Sequence, residues 1–361
     1  MSYRSEDEVS DRLRAGEWFL RSGIQEASGG VSRYYLSDHR RNAPVSTEIT
    51  AYSANALMRL YKETSDAQYF EAARKAAWYL VKAWDAESLA MPFECEAESI
   101  RYSYFFDCGI VVRGLLSVWR ESGTPEFLAT AVQCGNSMAD DFFDRKQFGP
   151  ILSLPDKHLL PYQNDKWSQS PGCYQLKAAL AWKELAEVTR DERYEVKFRY
   201  LLQDSLASHN TFLPGAHDDL LIMDRLHAYL YFLEGLLPTI QESACADALR
   251  VGIQRVSGFV NELSSKFLRA DVVAQLLRIR LFADQYGVVS LDARAAEQEA
   301  SLLQTFQSHG NDVRLGGGFW FGERQGVFLP YMNPWATAFC YQAWGMWIER
   351  ETQEERWQNL I

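Results

Sequence analysis

Two carboxylates stand where apolar helices are expected to begin. Asp107, in Phe106-Asp107-Cys108-Gly109-Ile110, and Glu48, in Ser46-Thr47-Glu48-Ile49, each fall in a first helical turn. There the helix N-terminus helps keep a carboxylate ionised. Acetal chemistry asks for two such groups, one protonated to give a proton to a leaving oxygen and one ionised to activate water or attack carbon. The same positions also suit acids that only stabilise a helix start. A denser group follows, His217-Asp218-Asp219 and Asp224-Arg225-Leu226-His227, with three acids, two histidines and one arginine within eleven residues. Asp224 reads as a helix N-cap, Asp224 and His227 as acid–base candidates, and Arg225 as a substrate contact. Its spacing matches no oxygen-ligand loop. The six cysteines (Cys95, Cys108, Cys134, Cys173, Cys245, Cys340) contain no Cys-x-x-Cys pair and read as reduced, buried thiols. Neither a metal nor a cofactor is therefore expected.

The third group is aromatic. Arg314-Leu-Gly-Gly-Gly-Phe-Trp320-Phe-Gly-Glu323 precedes Tyr331-Met-Asn333-Pro334-Trp335. It lacks both the Gly-x-Gly-x-x-Gly fingerprint and a Gly-Lys-[Ser/Thr] ending, so nucleotide binding is not expected. The run reads as a short hairpin, with Asn333 as N-cap and Pro334 in the first helical turn. Trp320, Tyr331 and Trp335, with Trp167 and Tyr52, offer flat faces for stacking on a ring-shaped ligand, although packing accounts for such residues equally well. Gly29-Gly30-Val-Ser-Arg33-Tyr-Tyr35 looks like the counterpart of the glycine run at the other end of the chain.

The elements that must position these residues are legible in a repeat. Leu60–Tyr69, Val118–Phe127 and Leu185–Tyr194 each combine a helix end, a polar turn, a cap candidate (Asp66, Thr124, Asp191) and an aromatic three residues later. Residues 67–84 present one wet face and one apolar face, whereas 49–60 are apolar or small nearly all round. Continuing this alternation predicts inner helices starting near Ser46, Ser103, Ser170, Asp224, Asp271 and Asn333. Outer helices are predicted near 6–22, 67–85, 125–143, 192–208, 244–262 and 292–308. Strand signals are sparse, so six helical hairpins imply an all-α chain, a single (α/α)6 toroid domain spanning 1–361 whose inner helices line a funnel. A superhelical hairpin array is the rival, but the repeats are uneven. The long insertions (28–45, 86–102, 144–169, 209–223, 309–332) also all precede inner helices, which would gather them on one rim.

Inner helices preceded by loops rich in glycine and aromatics resemble the six-hairpin glycosidase superfamily. Locally, Phe106-Asp107-Cys108-Gly109 is similar to the Asp-x-Gly element of unsaturated glucuronyl hydrolases, a resemblance that implies a catalytic Asp107. That family has a second Asp ahead of a Trp, which Asn164-Asp165-Lys166-Trp167 resembles, making Asp165 a candidate. Beyond Trp167 the sequence departs from the pattern. The acylglucosamine 2-epimerase family shares the toroid and is similar in repeat style, but it resembles this chain less in chemistry, because it uses histidines on inner helices and only His227 sits on one here.

Composition narrows the function classes. The 361 residues are 47% hydrophobic and 24% charged, which excludes a disordered chain. With 37 basic and 48 acidic residues the net charge is −11, so neither nucleic acid nor an anionic membrane is an expected partner. The start mixes charges of both signs and no stretch is long and apolar enough to span a bilayer, so a cytoplasmic protein is expected. Eleven Trp within 14% aromatics suggest a stacking surface. The leading expectation is a glycoside hydrolase acting on an oligosaccharide, with Asp107 paired with Glu48, Asp165 or Asp224. An acidic ligand such as a uronic acid would call on Arg33, Arg101, Lys166, Arg225 or Arg269. Alternatives are a sugar epimerase or isomerase using His227 with a tyrosine or carboxylate, a lyase or isoprenoid cyclase on the same toroid, and a non-catalytic helical-repeat binding protein.

Overall fold

The computed structural model describes residues 6–95, 101–144, 147–162 and 166–361. Twelve α-helices lie among them, in strict outer–inner alternation. The outer helices are α1 (Glu6–Arg21), α3 (Ala67–Ala83), α5 (Pro125–Asp140), α7 (Glu192–Phe212), α9 (Ser243–Leu263) and α11 (Ala293–Thr305). The inner ones are α2 (Thr47–Thr64), α4 (Phe105–Ser122), α6 (Leu176–Thr189), α8 (Asp219–Gly235), α10 (Ala270–Gln285) and α12 (Pro334–Glu349). Two starts differ from expectation. Residues near Ser170 form two short 3-10 turns, Trp167–Gln169 and Cys173–Gln175, so α6 begins only at Leu176. Asp224 is not an N-cap: Asp218 caps α8 by accepting from the amides of Leu220 (2.9 Å) and Leu221 (3.1 Å), which places Asp224 in the second turn.

One compact unit comprises Glu26–Arg33 and Pro44–Phe212 and holds α2 to α7. Its three hairpin joints share a plan. A left-handed residue (Ser65, Gly123, Arg190) ends each inner helix. The Asp66 carboxylate then accepts from the Gln68 amide, and that of Asp191 from the Arg193 amide, both at 2.9 Å. Thr124 makes no such side-chain bond, and Pro125 opens α5 instead, its missing N–H one the cap would not have to satisfy. Tyr69, Phe127 and Tyr194 follow and are buried. Within this unit α4 packs between α2 and α6. That approach is close: a β-carbon on Gly109 would stand 2.4 Å from the Ala178 carbonyl oxygen of α6.

The other unit comprises Met1–Gln25, Tyr34–Ala43 and Leu213–Ile361, and α10 packs between α8 and α12 within it. Each of these inner helices turns one stripe toward the others: Asp224, His227, Tyr231 and Glu234 on α8, Asp271, Gln275 and Arg278 on α10, Trp335, Phe339 and Gln342 on α12. At the deep end Arg278, wholly buried, donates to Glu234 Oε1 (2.5 Å) and Gln342 Oε1 (2.8 Å) and lies 4.1 Å above the Phe339 ring. Burying a guanidinium demands such partners.

Short strands deliver the chain to inner-helix N-termini. Val45–Ser46, paired with Val31–Ser32, runs into α2, and Arg101–Tyr104, paired with Ile151–Leu154, runs into α4. Phe267–Arg269, paired with Gly322–Arg324, runs into α10, and Tyr331–Met332, paired with Tyr35–Leu36, runs into α12. The hairpin read from the glycine run lies one step later, between Gly322–Arg324 and Val327–Phe328. Asn333 does precede α12 and Pro334 opens it, although the Asn333 side chain makes no capping bond. The two glycine runs are built alike. Gly29 (φ 96°) and Gly317 (φ 91°) are left-handed, and a β-carbon on either would stand 2.2 Å from an outer-helix carbonyl oxygen, of Lys75 and Arg14 respectively.

Candidate functional site

Chemistry-bearing groups gather at inner-helix N-termini in each unit. In the unit containing α2 and α4, Ser46 caps α2 by accepting from the Ile49 amide (3.2 Å), which sets Glu48 in the first turn. Asp107 stands three residues past the strand that opens α4 and is 8% exposed. Burial, and then the charge of Glu48, push the Asp107 carboxyl well above the usual range, while Arg33 pulls it back. Burial likewise lifts Glu48 to about 7 against the pull of Arg33. Arg33 is 3.0 Å from Glu94 and lies 5.5 Å over the Phe93 ring, which meets Tyr104 edge-on at 5.3 Å. Burial, reinforced by Asp107, raises the Tyr104 phenol to about 12. Two interacting carboxyls of which one keeps its proton can serve as acid and base.

In the other unit the strand ending at Arg269 and the first turn of α10 set a bidentate pair. Arg269 donates through Nε to Asp271 Oδ1 (2.9 Å) and through Nη2 to Oδ2 (2.5 Å), while its Nη1 donates to Asp224. Phe321 lies 4.6 Å beneath the guanidinium. Asp271, wholly buried, also accepts from its neighbour's amide, Val272 N (2.9 Å), and from Trp335 Nε1 (3.0 Å). Burial alone would raise Asp271, but the Arg269 guanidinium outweighs it and holds the carboxyl at about 2. Burial alone would lower Arg269, but Asp271 and Asp224 outweigh it and push the guanidinium above its usual range. His227 Nδ1 is 2.7 Å from Gln275 Oε1 and 3.3 Å from Asp271 Oδ2, two acceptors that assign the Nδ1 proton. Burial lowers the imidazole to about 4 despite the nearby Asp271. At neutral pH the ring is therefore uncharged, with its lone pair on Nε2.

The structure brings Glu48 together with Asp107, and Asp224, His227 and Trp335 together around Arg269 and Asp271. Asp165 lies outside the described residues. Trp320 stacks on Phe328 (5.9 Å, 10°), and Tyr331 meets Tyr34 edge-on at 5.5 Å. Trp167 packs edge-on against Tyr174 (5.0 Å), and Tyr52 is 1% exposed within α2. Arg225 folds over Gly215, its Nε 2.2 Å from where a β-carbon there would stand. Sequence reasoning counted Arg269 only as one cation among several and Asp271 only as a helix start, and it passed over Gln275. Arg269-Ala-Asp271 nonetheless repeats the pattern of Tyr104-Phe-Phe-Asp107, a strand end followed within one helical turn by an acid. Among the described residues no group of His, Cys, Asp and Glu is arranged to hold a metal, and no helix is long and apolar enough to cross a membrane.

No protein-family profile matches the sequence, and no curated protein sequence does. Solved structures do. A sugar epimerase from a ruminal bacterium matches with a TM-score of 0.71 at 10% identity, over 97% of this chain and 100% of its own. A D-mannose isomerase matches at 0.68 and 10%, over 96% and 100%. An unsaturated glucuronyl hydrolase from Streptococcus agalactiae matches at 0.64 and 11%, over 98% and 93%. Such identities speak for fold and leave the chemistry to the site. The fold that these proteins share, and that this chain adopts, is an (α/α)6 toroid.

Proposed function

We propose that the chain is a carbohydrate-active enzyme that moves a proton at a sugar carbon, an epimerase or isomerase with His227 as general base. One observation carries this: the Nδ1–H of a buried, neutral imidazole is held by Gln275 and Asp271, which leaves the lone pair on Nε2 to accept a proton. On an open-chain aldose, Nε2 takes the proton from the carbon beside the carbonyl, and the C–H electrons move onto the carbonyl oxygen as an enediolate forms. Return of a proton to the other face of that carbon gives the epimer; return to the neighbouring carbon, with the proton of the adjacent hydroxyl passing to the former carbonyl oxygen, gives the ketose. Asp271 orients the ring and offsets its positive charge once it is protonated, while Arg269 keeps Asp271 ionised. The kinship in fold with a sugar epimerase and a D-mannose isomerase supports the sugar class.

A second reading, glycoside hydrolysis, is favoured by the Glu48–Asp107 pair, since a carboxyl held protonated by burial is what a leaving-group acid needs. One experiment separates the two. Wild type, His227→Gln and Asp107→Asn are incubated in D2O with reducing mono- and disaccharides, and carbon-bound deuterium and released reducing ends are followed by NMR. Proton transfer predicts deuterium beside the carbonyl without cleavage, falling by about 10²–10⁴-fold in His227→Gln. Cleavage without exchange, lost in Asp107→Asn, would overturn it in favour of hydrolysis.

A further inference from the structure

Every edge of Arg269 is spoken for. Asp271 takes Nε and Nη2, Asp224 takes Nη1, and Phe321 covers one face of a side chain that is 4% exposed. The two aspartates and one arginine leave one negative charge in excess beside a neutral His227. Lys266 pairs with Asp219 at 2.7 Å, and the Arg225 guanidinium lies over Gly215. Of the two aspartates, Asp271 is sealed, whereas the Asp224 side chain is 42% exposed. Asp224 is therefore the solvent-facing partner of Arg269, on its Nη1 arm, whereas the Nε and Nη2 arms are held by a sealed carboxylate.

We propose that Asp224 is the specificity-determining residue of this site. It selects uncharged sugars, and it shuts out uronates and sugar phosphates by occupying the arm of Arg269 that a carboxylate or phosphate would otherwise take, while adding like-charge repulsion. The inference rests on the sugar-processing reading above and adds the charge class of the substrate. A bound anion would also favour the imidazolium form of His227 and so remove the base, which gives the exclusion a catalytic purpose.

The test compares sugars that differ only in charge, glucose with glucuronate and mannose with mannose 6-phosphate, by saturation-transfer NMR on wild type, Asp224→Asn and Asp224→Ala. Asp224 does not cap α8, so both variants are expected to fold, which circular dichroism checks. Wild type is expected to bind each neutral sugar at least about tenfold more tightly than its acidic partner, the size of one partly screened like-charge contact. That ratio should shrink with added salt and collapse by about tenfold in both variants as the Nη1 arm becomes available. Equal binding of acidic and neutral sugars by wild type, or an unchanged ratio in the variants, overturns the assignment of Asp224 while leaving proton transfer by His227 intact. If wild type binds no sugar of either charge, the sugar reading itself falls, and this inference with it.

Discussion

Glu48 is pulled in opposite directions by burial and by Arg33, and burial prevails. The native state then keeps a proton that the unfolded chain has released once the pH passes the ordinary value of 4.5. Stability contributed by this group is complete at acid pH and is lost as the pH climbs from about 4.5 to about 7. Glu48→Gln should therefore melt several degrees above wild type at pH 8 and level with it at pH 4, which a series of thermal melts would show. No difference at pH 8 would mean that the carboxyl is well solvated. His227 works in the other sense. Its lowered value makes the native state refuse a proton that the unfolded chain takes up, so its contribution declines as the pH falls from 6.5 toward about 4. Asp107 and Glu48 stand out in the sequence because each is an ionisable residue in the first turn of an apolar helix, and Asp224 and His227 because acids and histidines crowd the stretch before and within α8. Gln275, and the coupling of Asp271 to His227, were not: those contacts join α8 to α10 across 44 to 48 residues, and no local pattern encodes them.

The inner helices approach so closely that side-chain size at the contact decides the geometry. Gly109 presses its α-carbon against α6, where a β-carbon would meet both the carbonyl oxygen and the α-carbon of Ala178, at 2.4 and 2.6 Å. Backbone cannot swing aside as a long side chain can. Gly109→Ala is accordingly expected to cost about 1–3 kcal/mol, read by urea unfolding, and to disturb Asp107 two residues earlier. Wild-type stability in that variant would show that α4 and α6 can separate freely. At this scale the sequence was a good guide wherever capping chemistry was explicit. The turns after α2, α4 and α6 combine a left-handed residue, a polar cap or proline and a buried aromatic, and the helices begin where that combination ends. It misled at α8, where Asp218, Asp219 and Asp224 all look like caps, and the two hydrogen bonds that settle on Asp218 depend on backbone angles not legible in residue types.

Both units are assembled on one plan, three inner helices side by side with strands feeding several of their N-termini, and the glycine runs are its most exacting joint. Because Gly29 and Gly317 combine a left-handed backbone with a carbonyl 2.2 Å from the would-be β-carbon, Gly29→Ala and Gly317→Ala should each cost about 2 kcal/mol or more. Similar losses in chemical denaturation are expected from the two, and tolerance at one with failure at the other would refute the equivalence. The likeness of these runs was visible as a repeated Gly-Gly followed by aromatics. Their geometry was not, since it depends on where α1 and α3 lie. The buried charge of Arg278 carries a different consequence. With Glu234 on α8 and Gln342 on α12 as its partners, Arg278 fits only one register of α10 against its neighbours. A slip of one turn would leave an ionised guanidinium unpaired in a dry interior, at a cost of about 3–5 kcal/mol. Polar groups at the deep end of the three helices thus act as an alignment pin. They disfavour partly slid, compact alternatives that an all-apolar interface would tolerate, and they tie the unfolding of α8, α10 and α12 into a single cooperative event.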